Sequence, residues 1–278
     1  MSRIGTLLII VLVSCLVAGG LIAARWKTIA LDAAEKAFRS VLKGYSVSIG
    51  GREISTRMLA FRDIDIRNKG QQILKAGEVR FDFTLLSLYS ERRADFSVRD
   101  VTVIDKLKID RASGLARFER GVLAIGNISV MVLGGVIEGG ALIKPGRQAS
   151  SSVALDVKGV RLEKLIETFK LGEKLDLTGS VSGAIRLSGE GASLMSLKGK
   201  LETSPEGGTL TINDKKWLDA IAKYAGQDVG VIVESFRNYR YNIGKADLKL
   251  EGSAVVMDVH LEGDAGKRDL VVALHDFI

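Results

Sequence analysis

Apolar and polar side chains alternate with a period of two over most of the chain from Tyr45 onward. Alternation of this kind is typical of strands with one buried and one solvated face, and it favours antiparallel over parallel pairing. The clearest run is LDLTGSVSGAIRL, in which one face carries Leu175, Leu177, Val181, Ile185 and Leu187. The pattern returns near the C-terminus in Leu248 and Leu250, then in Met257, Val259 and Leu261. The sequence therefore predicts a mainly β fold, built as an elongated, twisted antiparallel sheet.

The phase of the alternation slips once within an early strand. Leu59 and Phe61 are apolar in one phase, and Ile64 and Ile66 are apolar in the other. One additional residue in a strand changes which face the following side chains occupy. The slip at 62–63 therefore predicts a β-bulge.

Three segments have helical rather than alternating spacing of apolar residues. They lie at 29–42, at 161–171 and at 214–225, and the last begins after a possible N-cap at Asn213. The third segment carries an apolar stripe that is expected to pack in the core, formed by Trp217, Leu218, Ile221 and Tyr224. The polar stretch 144–152 is the best candidate for a domain boundary.

An uncharged apolar segment of 21 residues, Ile4–Ala24, lies near the N-terminus between Arg3 and Arg25. As a helix it is about 31 Å long, which matches the hydrocarbon core of a bilayer. Trp26 and Lys27 follow, and an aromatic residue beside cations is favoured at the membrane interface. The sequence predicts a single transmembrane anchor, with Arg3, Arg25, Trp26 and Lys27 at the interfaces and the bulk of the chain on the outer side.

An alternative for this segment is lipoprotein processing at Cys15, which follows the box-like Leu12–Ser14. Residues 16–24 remain apolar, whereas a polar tether normally follows a lipidated cysteine, so helix length favours the uncleaved anchor. With anchor and boundary together, the chain divides into an anchor at 1–28, a helix and sheet at 29–143, and a C-terminal sheet with two short helices at 153–278.

Composition and motifs argue against several classes of function. The net charge is +7, but no basic run is interleaved with aromatic residues, so nucleic-acid binding is not expected. Two interpretations of the positive charge stay open, a solvated surface rich in Lys and Arg and attraction to anionic lipid headgroups. The single cysteine and the isolated His260 and His275 give no metal site and no catalytic constellation. Nucleotide-binding and hydrolase motifs are also missing from the sequence. We therefore expect no enzyme activity and no cofactor.

A sheet face rich in Leu, Val and Ile must be covered by a second sheet, a helix or a ligand. For a protein anchored in a membrane, lipid acyl chains are a natural covering. The candidate residues lining such a groove are Leu175, Leu177, Val181, Ile185, Leu187, Leu248, Leu250, Met257, Val259 and Leu261.

The order of several motifs resembles the AsmA-like envelope proteins. After the apolar N-terminus come KGYSVSIGG and LAFRDIDIRNKGQQILKAGEVRFDFTLLSLYS. The later runs VRLEKLIETFKLGEKLDLTGSVSGAIRL, LKGKLETSPEGGTLTI and SFRNYRYNIGKADLKLEG are similar to the YdbH branch of that family. The resemblance implies an inner-membrane anchor, a groove-shaped, taco-like sheet in the periplasm, phospholipid as partner, and a part in phospholipid transport or outer-membrane maintenance.

The chain is far shorter than the bridging members of that family. Strands lie about 4.8 Å apart, so about 15 strands extend only about 70 Å. A second interpretation is therefore a structural or assembly subunit, similar to the N protein of type II secretion. Its open sheet edge would pair with other envelope proteins.

Overall fold

The computed structural model describes residues 46–68, 70–84, 92–103, 106–144, 149–190, 193–226 and 228–274. The predicted anchor with Arg3, Arg25, Trp26 and Lys27, the predicted helix at 29–42, and His275 lie outside these residues. Within the described ranges, no helix has the length and apolar character needed to cross a bilayer.

The described residues form a large antiparallel sheet, which confirms the mainly β fold. Its thirteen strands follow one another as an almost uninterrupted meander. The first eight are β1 (Ser46–Ile54), β2 (Met58–Asn68), β3 (Gln71–Asp82), β4 (Arg93–Val103), β5 (Leu107–Glu119), β6 (Val122–Val132), β7 (Gly135–Lys144) and β8 (Ser150–Arg161). The last five are β10 (Ser180–Glu190), β11 (Ser193–Thr203), β14 (Ile243–Glu251), β15 (Ala254–Gly263) and β16 (Gly266–Leu274). Strands β7 and β8, which flank the candidate boundary at 144–152, pair directly in this sheet.

Two insertions interrupt the meander in the C-terminal half. The first contains α1 (Leu162–Phe169) and β9 (Leu175–Leu177), and the second contains β12 (Gly208–Ile212), α2 (Lys215–Ala225), α3 (Val229–Ser235) and β13 (Tyr239–Tyr241). Strands β13, β12 and β9 pair in that order as a small second sheet. We call β9, β12, β13, α2 and α3 the cap.

The phase slip in β2 occurs where the sequence predicts it, but its geometry differs from a simple bulge. Asp63 adopts a left-handed conformation with φ 51°, and Asp100 in β4 does the same with φ 53°. Each partner strand also has an additional residue, so the pairing continues in register, for example from Arg62 with Glu78 to Ile64 with Ala76. Aspartate tolerates this conformation better than most residues because its side chain hydrogen-bonds locally.

Glycine is required opposite these aspartates. A Cβ atom on Gly50 would lie 2.9 Å from Cβ of Asp63, and one on Gly77 would lie 3.0 Å from Cβ of Asp100. Alternating glycine and aspartate thus let four strands change phase together, which keeps the apolar side chains on one face.

We call this apolar side of the large sheet the dry face, and the opposite side the wet face. From β1 to β8 the dry face forms one continuous buried cluster. Leu59 and Phe81 within it have no exposed surface. Full burial of large aliphatic and aromatic side chains is the main stabilising contribution of this region.

A second core joins the cap to the large sheet. Leu210, Tyr239 and Tyr241 of the cap are buried with Leu261 of β15, and Val259 and Leu270 of the dry face pack against them. The cap therefore covers one end of the dry face in β15 and β16.

The expectation that residues 175–187 form a single strand is wrong. The chain leaves β9 at Thr178, and Gly179 has a positive φ of 117°. Leu175 and Leu177 consequently lie in the small sheet and pack in the cap core, while Val181, Ile185 and Leu187 lie in the large sheet. The apolar alternation in the sequence continues across the turn at Thr178 and Gly179, and only the pairing of β9 with β12 places the two parts in different sheets.

The two later helices begin and end close to their predicted limits, with differences at the caps. Asp214, rather than Asn213, caps α2, since its carboxylate accepts hydrogen bonds from the N–H groups of Lys216 at 2.8 Å and Trp217 at 3.3 Å. The side chain of Trp217 is 40% exposed, with Nζ of Lys174 5.9 Å from the ring centroid. The expected core position of Trp217 is therefore wrong, whereas that of Leu218 in the same predicted stripe is confirmed.

Tyr241 joins the cap to the junction of β9 and β10. Its hydroxyl donates a hydrogen bond to the carbonyl of Thr178 at 2.5 Å, and the residue is 1% exposed. Burial, with a smaller contribution from the charge of Glu163, raises the pKa of Tyr241 to about 12. In the unfolded chain a tyrosine has a pKa of about 10, so the folded state holds this proton more tightly. This contribution to stability is complete below pH 10 and is lost as the pH rises towards 12.

Tyr241→Phe should lower the free energy of unfolding by about 1 kcal/mol at pH 7, because one buried hydrogen bond is lost. The difference between the wild type and Tyr241→Phe should shrink as the pH rises from about 10 towards 12. Denaturant unfolding at pH 7, 9 and 11 measures both effects. An unchanged difference across this pH range would contradict the burial of the Tyr241 hydroxyl.

Candidate functional site

Strand pairing places two rows of apolar residues side by side across six strands of the dry face. The first row crosses β8, β10, β11, β14, β15 and β16 as Leu155, Ile185, Gly199, Leu248, Met257 and Val272. The second row crosses the same strands as Val157, Gly183, Leu201, Ala246, Val259 and Leu270. We call these twelve residues the groove floor.

The groove floor differs from the rest of the dry face in its burial. Of the twelve residues, only Val157 and Gly199 are buried, and the other ten are partly exposed. On the same face of β2 to β7, most large apolar side chains are fully buried. The floor is thus an apolar surface that the described residues cover only in part.

Packed clusters bound the floor at both ends of the strands. At one end Leu194, Leu197 and Val255 are buried together, and Leu187, Leu248 and Leu250 pack against them. At the other end lies the cap, which packs on Leu261. Ile185 and Met257 belong to neither cluster, so the open part of the floor lies between the two.

Small residues at the centre of the floor leave a depression in the apolar surface. Gly199 lies between Ile185 and Leu248, and a Cβ atom at Gly199 would be 3.3 Å from Cβ of Leu248. Any larger side chain at this position would fill the space above the backbone. The arrangement can accept an elongated apolar ligand, but it presents no chemically reactive group.

Eight of the ten predicted lining residues lie on the dry face of the large sheet. They are Val181, Ile185, Leu187, Leu248, Leu250, Met257, Val259 and Leu261, of which only Leu261 is fully buried. Leu175 and Leu177 lie in the cap instead. Sequence reasoning missed the contribution of β8, although Val153, Leu155 and Val157 alternate there with the required period.

The wet face of β14 to β16 carries charges of both signs in pairs. Nζ of Lys249 lies 2.9 Å from a carboxylate oxygen of Asp258, and hydrogen bonds to Asp258 and Glu251 raise the pKa of Lys249. Nζ of Lys267 lies 3.1 Å from Glu262. Exposed pairs such as these add little to stability, but they neutralise much of the charge on this face.

His260 lies on the wet face within this network. Its Nδ1 atom is 2.6 Å from Oδ1 of Asp269, and its Nε2 atom is 3.9 Å from Oε2 of Glu262. The partner Asp269 was not identified from the sequence, because only the β15–β16 register places it opposite His260. Among the described residues, no group of three His, Cys, Asp or Glu side chains is arranged to hold a metal ion.

Comparison of the chain with models of protein families, with curated proteins and with solved structures finds no match.

His260→Ala should leave the function of the protein intact, because this exposed pair adds at most about 1 kcal/mol to stability. Complementation of a deletion strain, with thermal unfolding of the purified variant, measures both properties. Asp269→Asn is the matched control for loss of the same pair. Loss of function in a stably folded His260→Ala protein would indicate a catalytic role.

Proposed function

We propose that this protein is anchored in the bacterial inner membrane and that its groove floor binds or conducts lipid acyl chains in the periplasm. In this role it contributes to phospholipid transport between the inner and outer membranes, or to outer-membrane maintenance. The observation that carries the proposal is the groove floor itself, a continuous apolar surface across six strands that stays partly exposed.

The dimensions of the floor suit an acyl chain. Six strands at about 4.8 Å spacing give a floor about 24 Å long. One acyl chain fills half of a hydrocarbon core about 30 Å thick, and is therefore about 15 Å long. A chain lying along a row of the floor thus has room to bind and to move.

Energetics favour an apolar ligand over water on this surface. Each methylene group removed from water contributes about 0.8 kcal/mol, so even part of an acyl chain binds favourably. Contiguous exposed apolar surface on a soluble protein commonly marks a binding site. The resemblance to AsmA-like proteins supports the same ligand class.

The membrane location rests on the apolar segment Ile4–Ala24 and on Trp26 beside it. We expect this segment to be retained, so the protein should stay in the membrane fraction after carbonate extraction. N-terminal sequencing provides the decisive measurement. A mature protein that begins at a lipidated Cys15 would contradict the anchor.

The open edge of β16 favours a second candidate function, that of a structural or assembly subunit. Among the described residues β16 pairs only with β15, and Val271 on β16 is 61% exposed. An unpaired edge can accept a strand from another envelope protein. In this case the dry face would act as a closed core rather than as a ligand site.

Ile185→Arg tests which of the two functions is correct. On an open floor the introduced charge can reach solvent, so the variant should fold yet lose lipid binding. In a closed core an unpaired buried charge costs several kcal/mol, and the domain should unfold. Ala184→Arg is the matched control, because Ala184 lies next in the strand on the wet face opposite Lys200 and Asp156.

A photocrosslinking residue at position 185 or 181 provides the ligand readout. We expect crosslinks to phospholipid from these positions and none from positions 180 and 182. Val181→Glu should behave as Ile185→Arg does. Unfolding of both charged variants, with no lipid crosslink at any position, would favour the structural subunit and overturn the lipid proposal.

A further inference from the structure

Arg268 lies on the dry face beside the groove floor, where the neighbouring positions are uncharged. It is paired with Leu261, and it precedes Leu270 and Val272 of the groove floor on the same face of β16. Among the described dry-face positions of β8, β10, β11, β14, β15 and β16, Arg268 is the only charged residue. A lone cation on an apolar surface needs a physical explanation.

The cap holds the guanidinium of Arg268 in place. Its Cζ atom lies 5.0 Å from the ring centroid of Tyr239, and Nη1 donates a hydrogen bond to the carbonyl of Lys267 at 2.8 Å. Tyr239 is itself fixed, since its hydroxyl donates to the carbonyl of Gly266 at 2.6 Å. The stacking is a cation–π contact that orients the guanidinium plane.

The hydrogen-bonding capacity of Arg268 is nevertheless incomplete. Its Nε atom is buried without a hydrogen-bond partner, and no described carboxylate oxygen lies within 4.0 Å of the guanidinium. The adjacent Lys267, on the wet face, is paired with Glu262 at 3.1 Å. A buried N–H without an acceptor is costly, so a small shift of the guanidinium towards an acceptor from a ligand would stabilise this site.

We propose that Arg268 binds the phosphate of a phospholipid headgroup whose acyl chains lie on the groove floor. The proposal rests on the proposed lipid function and adds the headgroup end of the site. A guanidinium matches phosphate with two parallel hydrogen bonds, and the contact with the Tyr239 ring uses none of its N–H groups. Leu270 lies two residues after Arg268 along β16, at a distance of about 7 Å. In a phospholipid, the glycerol backbone separates the phosphate from the acyl chains by a similar distance.

The experiment compares two photoreactive lipids with identical chains, phosphatidic acid and diacylglycerol, on the purified full chain in detergent. Wild type should capture phosphatidic acid about tenfold more efficiently, the effect of about 1.4 kcal/mol from one charge-assisted contact. Arg268→Leu should capture both lipids equally. Arg268→Lys should retain part of the preference, because an ammonium keeps the charge without the planar fork.

Lys267→Leu is the matched control, since it removes the same charge from the neighbouring position on the wet face. It should leave the preference for phosphatidic acid unchanged. Thermal unfolding of each variant shows whether it is folded. If Arg268→Leu fails to fold, we compare the preference for phosphatidic acid in folded Arg268→Lys and in Lys267→Leu. A weaker preference in Arg268→Lys would support the assignment of Arg268, and an equal preference would overturn it.

The outcomes separate this inference from the lipid function. Equal capture of both lipids by the wild type, or a full preference retained in folded Arg268→Leu, would overturn the assignment of Arg268 and leave the groove intact. Capture of neither lipid by the wild type would overturn the proposed function itself. Displacement of phosphatidic acid by inorganic phosphate at equal concentration would identify a site for free anions, and would overturn the lipid headgroup assignment.

Discussion

A single antiparallel sheet has two faces, and the alternation of side chains makes one of them apolar. The side chains of that face must be shielded from water. The rest of this structure depends on what covers each part of the face. Between β1 and β8 the apolar side chains are buried together in one cluster. Between β10 and β16 only the two ends of the strands are packed, by the cap and by the cluster around Leu194 and Leu197. The open part of the groove floor lies between them.

The cap gives this floor a defined end. Its two insertions are placed where the meander would otherwise continue directly from β8 to β10 and from β11 to β14. Tyr239 donates a hydrogen bond to the backbone carbonyl of Gly266 in β16, so a hydrogen bond as well as apolar contacts fixes the cap on the large sheet. The same tyrosine that anchors the cap, Tyr239, also supports Arg268. Packing and the proposed headgroup site therefore share one structural element.

Much of the sheet could be predicted from alternation alone, because the apolar positions within each strand show which of its faces is buried. The slip at Asp63 was visible for the same reason. The break after Leu177 was not visible, since Leu175 and Leu177 continue the phase of Val181 and only pairing with β12 places them in another sheet. The exposed position of Trp217 was also missed, because Trp217 and Leu218 are adjacent in the apolar stripe and spacing alone does not tell which of them faces the core.

Arg268 was missed for a different reason. In the run KRDLVVAL, five apolar residues follow one another, and such a run does not reveal which of them face the groove floor. The register with β15 resolves the ambiguity, since Leu270 pairs with Val259 and Arg268 pairs with Leu261. The charged residue on an apolar face is thus a property of strand pairing rather than of local sequence.

If the proposed function is correct, lipid occupies the partly exposed groove floor in the membrane-bound protein. Native mass spectrometry of the full chain, extracted in mild detergent from its own membrane, tests this most directly. We expect a folded protein whose mass exceeds that of the chain by one or more phospholipid molecules. A folded protein with the mass of the bare chain, under conditions in which a known lipid-binding protein retains its ligand, would contradict this expectation.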